Sequence, residues 1–143
     1  MRFPLSREIN MKTAYFGISK SSRVNFNKEI IQLKKCLAKN AIELLVFVDE
    51  YDFKLDQEKE MMKIAFEEID KSSFLIVELS KKAIGVGIEV GYAFAKGKPI
   101  IYIKRKNVNH STTIGGCSAF SIEYDNEFHL SEEIEKLITK INL

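Results

Sequence analysis

The segment from Phe74 to Ile103, FLIVELSKKAIGVGIEVGYAFAKGKPIIYI, limits what this chain can fold into more than any other part of the sequence. It begins and ends with a short apolar run, and each run has the length and composition of a strand covered on both faces. Between them the sequence predicts a loop that closes on Gly85-Val86-Gly87, followed by a short helix of small residues. Gly97 and Pro99 predict the end of this helix.

The remainder of the chain alternates strands and helices in the same manner. Strands are predicted over residues 13–18, 42–48, 74–79, 100–103 and 119–124, loops over 49–56 and 107–118, and helices after Ser19–Ser22, over 57–69 and from Ser131. This alternation predicts an α/β domain with a parallel sheet and right-handed crossovers. Five strands fit a flavodoxin-like three-layer sandwich with the strand order 2-1-3-4-5, in which the ligand crevice lies at the carboxyl ends of strands one and three.

Length and composition place the chain among ordinary globular domains. Its 143 residues are 45% hydrophobic and 29% charged, so we expect one domain over residues 11–143, preceded by an irregular lead-in over residues 1–10. The net charge of +2 gives no indication of a nucleic acid polymer as partner, and the two cysteines and two histidines have no metal-ligand spacing. Since we find neither a signal-peptide pattern nor a long apolar span, we expect a cytoplasmic protein without a membrane partner.

Glu89 is the only charged residue between Ala83 and Ala95, and it follows two glycines. Gly85 and Gly87 allow a tight turn and the close approach of a ligand, so both are candidate substrate-binding residues. We expect Glu89 in the first turn of the helix, where unpaired N–H groups and the helix dipole favour an ionised carboxylate. Two interpretations are open at this point: a carboxylate nucleophile, or a surface residue that only complements the helix dipole.

The predicted topology brings a second segment to the same crevice. Strands one and three end at the same edge of the sheet, at the point where the strand order reverses. Tyr15 and Ser19 are therefore expected within reach of Glu89. This proximity favours the functional interpretation of the carboxylate.

The residues around this crevice resemble a known family. The run from Asp70 to Ile103 resembles the nucleoside 2-deoxyribosyltransferase family, which includes the enzymes that hydrolyse the N-glycosidic bond of (deoxy)nucleoside 5′-monophosphates. The shared features are an aspartate that opens a strand (Asp70), an acidic residue near the strand end (Glu78) and the motif G-x-G-x-E-x-G over residues 85–91. The segment YFGIS, residues 15–19, is similar to the first-strand motif of this family.

The resemblance implies a set of site residues. Glu89 matches the catalytic glutamate, which attacks the anomeric carbon and forms a covalent glycosyl-enzyme, and Tyr15 matches the catalytic tyrosine that orients it. Ser19 and Arg23 are implied near the sugar or the phosphate. Ser111 matches a phosphate-binding serine that a neighbouring subunit often supplies, although its segment also fits a plain connecting loop. The implied partner is a nucleoside or nucleotide substrate, in a homodimer or higher homo-oligomer, with no cofactor and no metal.

The sequence departs from the family pattern at two positions. Met62 stands where family members usually have a second catalytic aspartate, and a thioether cannot protonate a leaving base, a contribution worth about 10² to 10⁴ in rate. We interpret Met62 as a core residue, with Glu58, Asp49 or Glu50 as possible substitutes for the missing acid. Ala83 stands where family enzymes often place a serine or aspartate for the phosphate or sugar.

Several functional readings are therefore open. The glycosyl group would pass to water or to another base. Alternatives are an NAD-cleaving domain of the Toll/interleukin-receptor type and a non-catalytic nucleotide-binding module. Tyr51 and Phe53, in the second loop, are expected either to stack on a base or to pack over the edge of the sheet.

Overall fold

The computed structural model describes residues 11–141, so the predicted lead-in over residues 1–10 lies outside the described residues. The strands are β1 (Lys12–Gly17), β2 (Ile42–Val46), β3 (Phe74–Glu78), β4 (Ile100–Arg105) and β5 (Phe120–Tyr124). The helices are α1 (Asn27–Ala38), α2 (Phe47–Glu50), α3 (Glu58–Lys71), α4 (Ile84–Ala95), α5 (Thr112–Cys117) and α6 (Glu127–Ile138). Short 3₁₀ turns lie at Arg23–Phe26 and Leu55–Gln57.

All five strands form one parallel sheet in the order β2-β1-β3-β4-β5, which confirms the predicted topology. The central strand β3 is buried along its whole length, as its continuous apolar run predicts. It pairs with β1 through Phe16 opposite Ile76, and with β4 through Val77 opposite Tyr102. This pairing places the carboxyl ends of β1 and β3 side by side.

The helices cover both faces of the sheet and divide the core in two. Helices α1 and α6 pack on one face, and α3, α4 and α5 pack on the other. Because successive side chains of a strand point to opposite faces, Phe16 joins the α1/α6 face whereas Tyr15 joins the α3/α4 face. The same alternation in β3 sends Ile76 and Glu78 towards α1 and α6.

Several element boundaries differ from the sequence prediction. The second strand ends at Val46, and the chain turns directly into α2, so residues 47 and 48 are helical. The predicted loop over residues 107–118 contains α5. The closing helix begins at Glu127, because the Asn126 side chain accepts hydrogen bonds from the N–H groups of Phe128 and His129 and caps this helix five residues before Ser131. Within residues 11–141, no helix is both long and apolar enough to cross a membrane.

Candidate active site

A cavity of about 320 Å³ opens at the carboxyl ends of β1 and β2, beside the start of α4. Its size lies at the lower end of the range for small-molecule sites. Its walls are mostly apolar, and Glu89 is its only acidic lining residue among the described residues. The lining residues are Ile18, Ser19, Lys20, Phe47, Val48, Tyr51, Phe53, Met61, Met62, Ala65, Ala83, Ile84, Gly85, Val86 and Glu89.

Glu89 lies in the second turn of α4 and not in the first, which corrects the sequence prediction. The backbone of Ala83 is extended, and the helix begins directly after it at Ile84. The N–H group of Gly87 already donates to the carbonyl of Ala83, at 3.1 Å. The segment 85–87 is therefore helical and not a loop, which makes Glu89 the sixth residue of the helix and turns its side chain towards the end of β1.

A short hydrogen bond fixes the Glu89 carboxylate. The Tyr15 hydroxyl donates to Glu89 Oε2 at 2.6 Å, and the Tyr15 ring is fully buried beneath it. Among residues 11–141 no second donor reaches this carboxylate. In this part of the chain, every side-chain nitrogen or oxygen that is buried has a hydrogen-bond partner. Oε1 has no such partner, so it is not buried, and it is accessible from the cavity that Glu89 lines. One oxygen is thus held and the other is available for chemistry.

Burial changes the protonation of this pair. Desolvation raises the pKa of Glu89 to about 7, and the hydrogen bond from Tyr15 only partly opposes the shift. The helix dipole therefore does not hold the pKa of this carboxylate low, because the helix begins earlier than predicted and desolvation outweighs the opposing hydrogen bond. Burial and the neighbouring carboxylate raise the pKa of Tyr15, so its phenol stays protonated and remains a donor.

Gly17 lies against the Glu89 carboxylate, a contact that the sequence pattern did not predict. A Cβ atom at this position would lie 3.2 Å from Glu89 Oε1 and 3.1 Å from Val77 Cγ1. The carboxylate therefore occupies space that any side chain at position 17 would take. The small residue in YFGIS was the available signal, since a glycine inside a strand often marks a close approach of another group.

The other residues expected from the first loop divide into two groups. Ser19 lines the cavity, and its Oγ accepts a hydrogen bond from the N–H group of Ser22 at 3.2 Å. Arg23 does not line the cavity, because its guanidinium forms a bidentate pair with Asp49, at 2.9 to 3.0 Å. Asp49 is therefore occupied by Arg23 and does not line the cavity as a substitute acid.

An aromatic wall, formed by Phe47, Tyr51 and Phe53, closes one side of the cavity. The Phe47 ring lies 5.0 Å from the Tyr51 ring and 6.1 Å from the Phe53 ring, measured between centroids. The Tyr51 hydroxyl donates to Glu68, outside the cavity. Met62 also lines this space, so our interpretation of it as a plain core residue is wrong. Tyr51 and Phe53 pack on each other and also present surface to the cavity. This position is compatible with both predicted roles, stacking on a base and packing over the edge of the sheet.

The start of α4 presents backbone N–H groups next to Glu89. Within residues 11–141 no side chain caps this helix at Ala83, and the first N–H groups of the helix have no intrahelical partner. Gly85 lines the cavity beside these groups, whereas Gly87 does not. An anion or a hydroxyl placed here would meet the positive end of the helix.

Ser111 lies away from this cavity within the chain. Its side chain caps α5 by accepting from the N–H group of Ile114, and its own N–H group donates to the Tyr102 hydroxyl. It borders a separate cavity of about 200 Å³ with Leu79 and Ser80. Its predicted role in phosphate binding remains a prediction.

Two other features narrow the site further. Within residues 11–141 no group of three or more His, Cys, Asp or Glu side chains could hold a metal ion. A larger depression of about 590 Å³ lies on the α1/α6 face, where the Arg105 guanidinium pairs with Glu29 at 3.0 Å. Lys106 pairs with Asp125 at 3.6 Å in the same depression, so its main charged groups are engaged with one another, and we place the candidate site at Glu89.

Comparisons with known proteins agree with this picture at the level of the fold. No protein-family model matches the chain, and the comparison with curated proteins found no match. Among solved structures, the CMP N-glycosidase of Clostridium botulinum is similar over 87% of this chain and 99% of its own, with a TM-score of 0.66 and 20% identity. A conserved protein from Enterococcus faecalis covers 88% of this chain and 98% of its own, with a TM-score of 0.67 and 19% identity.

A third structure shows how far such a likeness extends. A 3-dehydroquinate dehydratase-like protein from Bifidobacterium longum covers 93% of this chain and 100% of its own, at a TM-score of 0.54 and 9% identity. One α/β architecture therefore occurs in proteins with differently described activities. The chain has the fold that these structures share, and a solved nucleotide N-glycosidase has the fold that the sequence resemblance implies.

Proposed function

We propose that this protein cleaves the N-glycosidic bond of a nucleoside or nucleoside 5′-monophosphate, as a member of the nucleoside 2-deoxyribosyltransferase family. The observation that carries the proposal is the Glu89 carboxylate, with one oxygen held by Tyr15 and the other open to the cavity at the carboxyl ends of β1 and β2. The G-x-G-x-E-x-G motif and the shared fold of a CMP N-glycosidase support it.

The arrangement suits a carboxylate nucleophile. Oε1 of Glu89 attacks the anomeric carbon while the bond from that carbon to the base breaks, which gives a covalent glycosyl-enzyme. Tyr15 holds Oε2, so the attacking oxygen has a defined direction and little freedom to lose. Water then displaces Glu89 from the anomeric carbon, or a second base does so in an exchange reaction.

Polar groups around the nucleophile suit the sugar and a 5′-phosphate. Ser19 and the uncapped start of α4 at Gly85 lie on the same cavity and would donate to sugar hydroxyls or phosphate oxygens. Arg23 would reach the phosphate only by leaving Asp49. We also propose a homo-oligomer in which Ser111 of one copy serves the cavity of another, a role in line with its distance from Glu89 within one chain.

The direct test is base release from a panel of nucleosides and nucleoside monophosphates, followed by chromatography. We expect free base from at least one substrate with the parent protein and none with Glu89→Gln. Acid-quenched turnover mixtures should show a glycosyl adduct on the peptide that contains Glu89 by mass spectrometry. Glu78→Gln is the control, because Glu78 faces the other side of the sheet. Base release that continues in Glu89→Gln would exclude the proposed nucleophile.

Hydrolysis and base exchange separate in a second assay. Adding a labelled free base to a turnover mixture gives labelled nucleoside or nucleotide only if the glycosyl-enzyme is captured by a base. We expect hydrolysis to dominate. Incorporation of label faster than sugar release would assign the protein as a transferase.

A further inference from the structure

Among the described residues, the cavity walls carry no carboxylic acid besides Glu89 that could protonate a leaving base. Apart from Glu89, the polar lining side chains among the described residues are Ser19, Lys20 and Tyr51. The Lys20 ammonium pairs with Asp52 at 3.0 Å, and both side chains are largely exposed. Glu58 and Glu50, the remaining candidate substitutes for the family's aspartate, are exposed and do not line the cavity.

Tyr51 does not fill this role either. Its hydroxyl already donates to Glu68, and that hydrogen bond raises the pKa of the phenol, which makes it a weaker acid than a free tyrosine. Tyr15 is fully buried and donates to the nucleophile itself. A leaving base that must be protonated would therefore depart without the general-acid help that ordinarily contributes about 10² to 10⁴ in rate.

The same walls are suited to a flat cation. The Tyr51 and Phe53 rings lie 5.8 Å apart, nearly parallel, and Met61 and Met62 add polarizable thioethers. Aromatic faces attract cations through their quadrupoles, and the attraction strengthens in a poorly solvated site. The Glu89 carboxylate adds a negative charge when ionised.

We propose that this cavity selects nucleosides or nucleotides whose base is a pyridinium cation, because such a base leaves without being protonated. The inference rests on the proposed function and specifies its substrate class. The missing acid and the aromatic wall then have one explanation. The wall binds the positive charge of the intact substrate, and cleavage of the C–N bond turns the pyridinium into a neutral base that needs no proton.

The reaction balances with water alone. Glu89 Oε1 donates an electron pair to the anomeric carbon while the pair of the C–N bond moves to the ring nitrogen, so the pyridinium leaves as a neutral pyridine. Water then bonds to the anomeric carbon, the pair of the glycosyl–Glu89 bond returns to the carboxylate, and one proton is released to solvent. The products are a free sugar or sugar phosphate, a neutral base and one proton.

The test compares substrates matched in everything but the base. Nicotinamide mononucleotide is paired with CMP, and nicotinamide riboside with cytidine, using the full chain and chromatography of the released base. We expect kcat/KM for the pyridinium member to exceed that of its partner by roughly 10²-fold or more. Preferential cleavage of CMP and cytidine would overturn the substrate class but leave the proposed function standing. No base released from any of the four, while other members of the wider panel release base, would also overturn the substrate class alone. No base released from the whole panel would refute both.

A substitution separates leaving-group protonation from simple reactivity, since pyridinium nucleotides are also more labile in solution. Met62→Glu places an acid on the cavity wall, and Met62→Gln is the uncharged control. We expect Met62→Glu to raise kcat/KM for CMP about tenfold or more, because the new acid protonates the leaving base. The value for nicotinamide mononucleotide should not rise, so the ratio of the two kcat/KM values should fall. An equal gain with both substrates, or the same gain in Met62→Gln, would contradict the leaving-group explanation.

The parent protein supplies an independent readout if these variants fold poorly. A pyridinium substrate requires only an ionised Glu89, so its kcat/KM should rise with pH through about 7 and then stay level. A base that needs a proton should lose rate again as the pH rises further. A falling alkaline limb with nicotinamide mononucleotide would overturn the proposal.

Discussion

Two glutamates of consecutive elements lie on opposite faces of the sheet, Glu78 at the end of β3 and Glu89 in the second turn of α4, and each receives a hydrogen bond from a tyrosine. Glu89 receives one from Tyr15 at 2.6 Å, and Glu78 receives one from Tyr124 at 2.7 Å. Burial raises the pKa of both carboxylates. In residue type and phenol partner the two sites are alike, although Glu78 is fully buried and Glu89 only partly so.

They differ in how many donors reach each carboxylate. Glu78 Oε1 accepts from the N–H group of Ser80 at 2.6 Å, and Oε2 accepts from the Ser80 hydroxyl at 2.8 Å as well as from Tyr124. The Ser80 hydroxyl in turn accepts from the N–H group of Arg105. Glu78 is 2% exposed and both of its oxygens are occupied, so it fastens the loop after β3.

The comparison shows that burial alone does not identify a reactive carboxylate. A carboxylate whose oxygens are all occupied is a structural acceptor, whereas one with a single donor and a free oxygen on a cavity retains nucleophilic capacity. Desolvation raises the pKa of Glu89 to about 7, and its single hydrogen bond only partly opposes the shift, so the ionised form is destabilised. Such local destabilisation is a common property of functional sites.

The largest expected contrast is in turnover. Glu89→Gln removes the proposed nucleophile and should lower kcat by roughly 10³-fold or more, whereas Glu78→Gln should stay within about threefold of the parent. Base release under saturating substrate measures both values. Equal losses in the two variants would mean that both carboxylates serve the reaction or that both substitutions only perturb the fold.

The second contrast is in stability, where the two variants should move in opposite directions. Above pH 7 the folded protein must keep Glu89 ionised in a buried site, at a cost of roughly 3 kcal/mol from a pKa near 7 against 4.5 when unfolded. Glu89→Gln removes this cost and still accepts from Tyr15, so its gain should appear at pH 8 and fade towards pH 5, as the folded site takes up its proton.

Glu78→Gln should instead lose about 1 kcal/mol, because an amide has one acceptor oxygen for the three donors of Ser80 and Tyr124. Part of this loss is offset at high pH, since burial raises the pKa of Glu78 as well. Chemical denaturation at pH 5 and pH 8 measures both variants. Stabilisation by Glu78→Gln as large as that by Glu89→Gln would remove the distinction between the two sites.

The third contrast concerns the tyrosines. Tyr15→Phe removes a hydrogen bond that holds the pKa of Glu89 down, so the acid limb of kcat/KM should move up from about pH 7 by roughly 1 to 2 units. We expect kcat to fall roughly tenfold to 100-fold, because the nucleophile also loses its orientation. Tyr124→Phe, the matched change, should leave the pH profile in place and lower only the stability. A pH profile unchanged in Tyr15→Phe would show that the phenol does not control Glu89.

Much of this comparison could be predicted from the sequence, for physical reasons. Continuous apolar runs separated by helical segments determine a parallel sheet, so the strand order was accessible. Glu89 was conspicuous as the one charge in a small-residue helix. In contrast, β3 is apolar on both faces, so no sequence pattern distinguishes which face Glu78 joins.

The start of α4 and the protonation of Glu89 were not accessible in the same way. Gly85 and Gly87 are typical of a loop, and Ala83 is not a capping residue, so the local sequence gives no signal for a helix beginning at Ile84. Desolvation depends on what packs around a side chain, which is a tertiary property. The contact between Gly17 and Glu89 joins residues 72 positions apart and arises only once β1 and α4 are packed.

That contact gives the smallest expected effect and the sharpest test of geometry. In Gly17→Ala the new Cβ atom would lie 3.2 Å from Glu89 Oε1, which displaces the carboxylate by a few tenths of an ångström. We expect kcat to fall about three- to tenfold, with unfolding free energy lowered by about 1 kcal/mol through crowding against Val77. Gly91→Ala is the matched control. Among the described residues, no atom outside the adjoining helix backbone lies within 4 Å of its added Cβ. Alanine also favours the helix by about 1 kcal/mol relative to glycine, so the unfolding free energy should rise while kcat is unchanged. If Gly17→Ala also kept full kcat, the free oxygen of Glu89 would not need its present position, and the distinction from Glu78 would rest on exposure to the cavity alone.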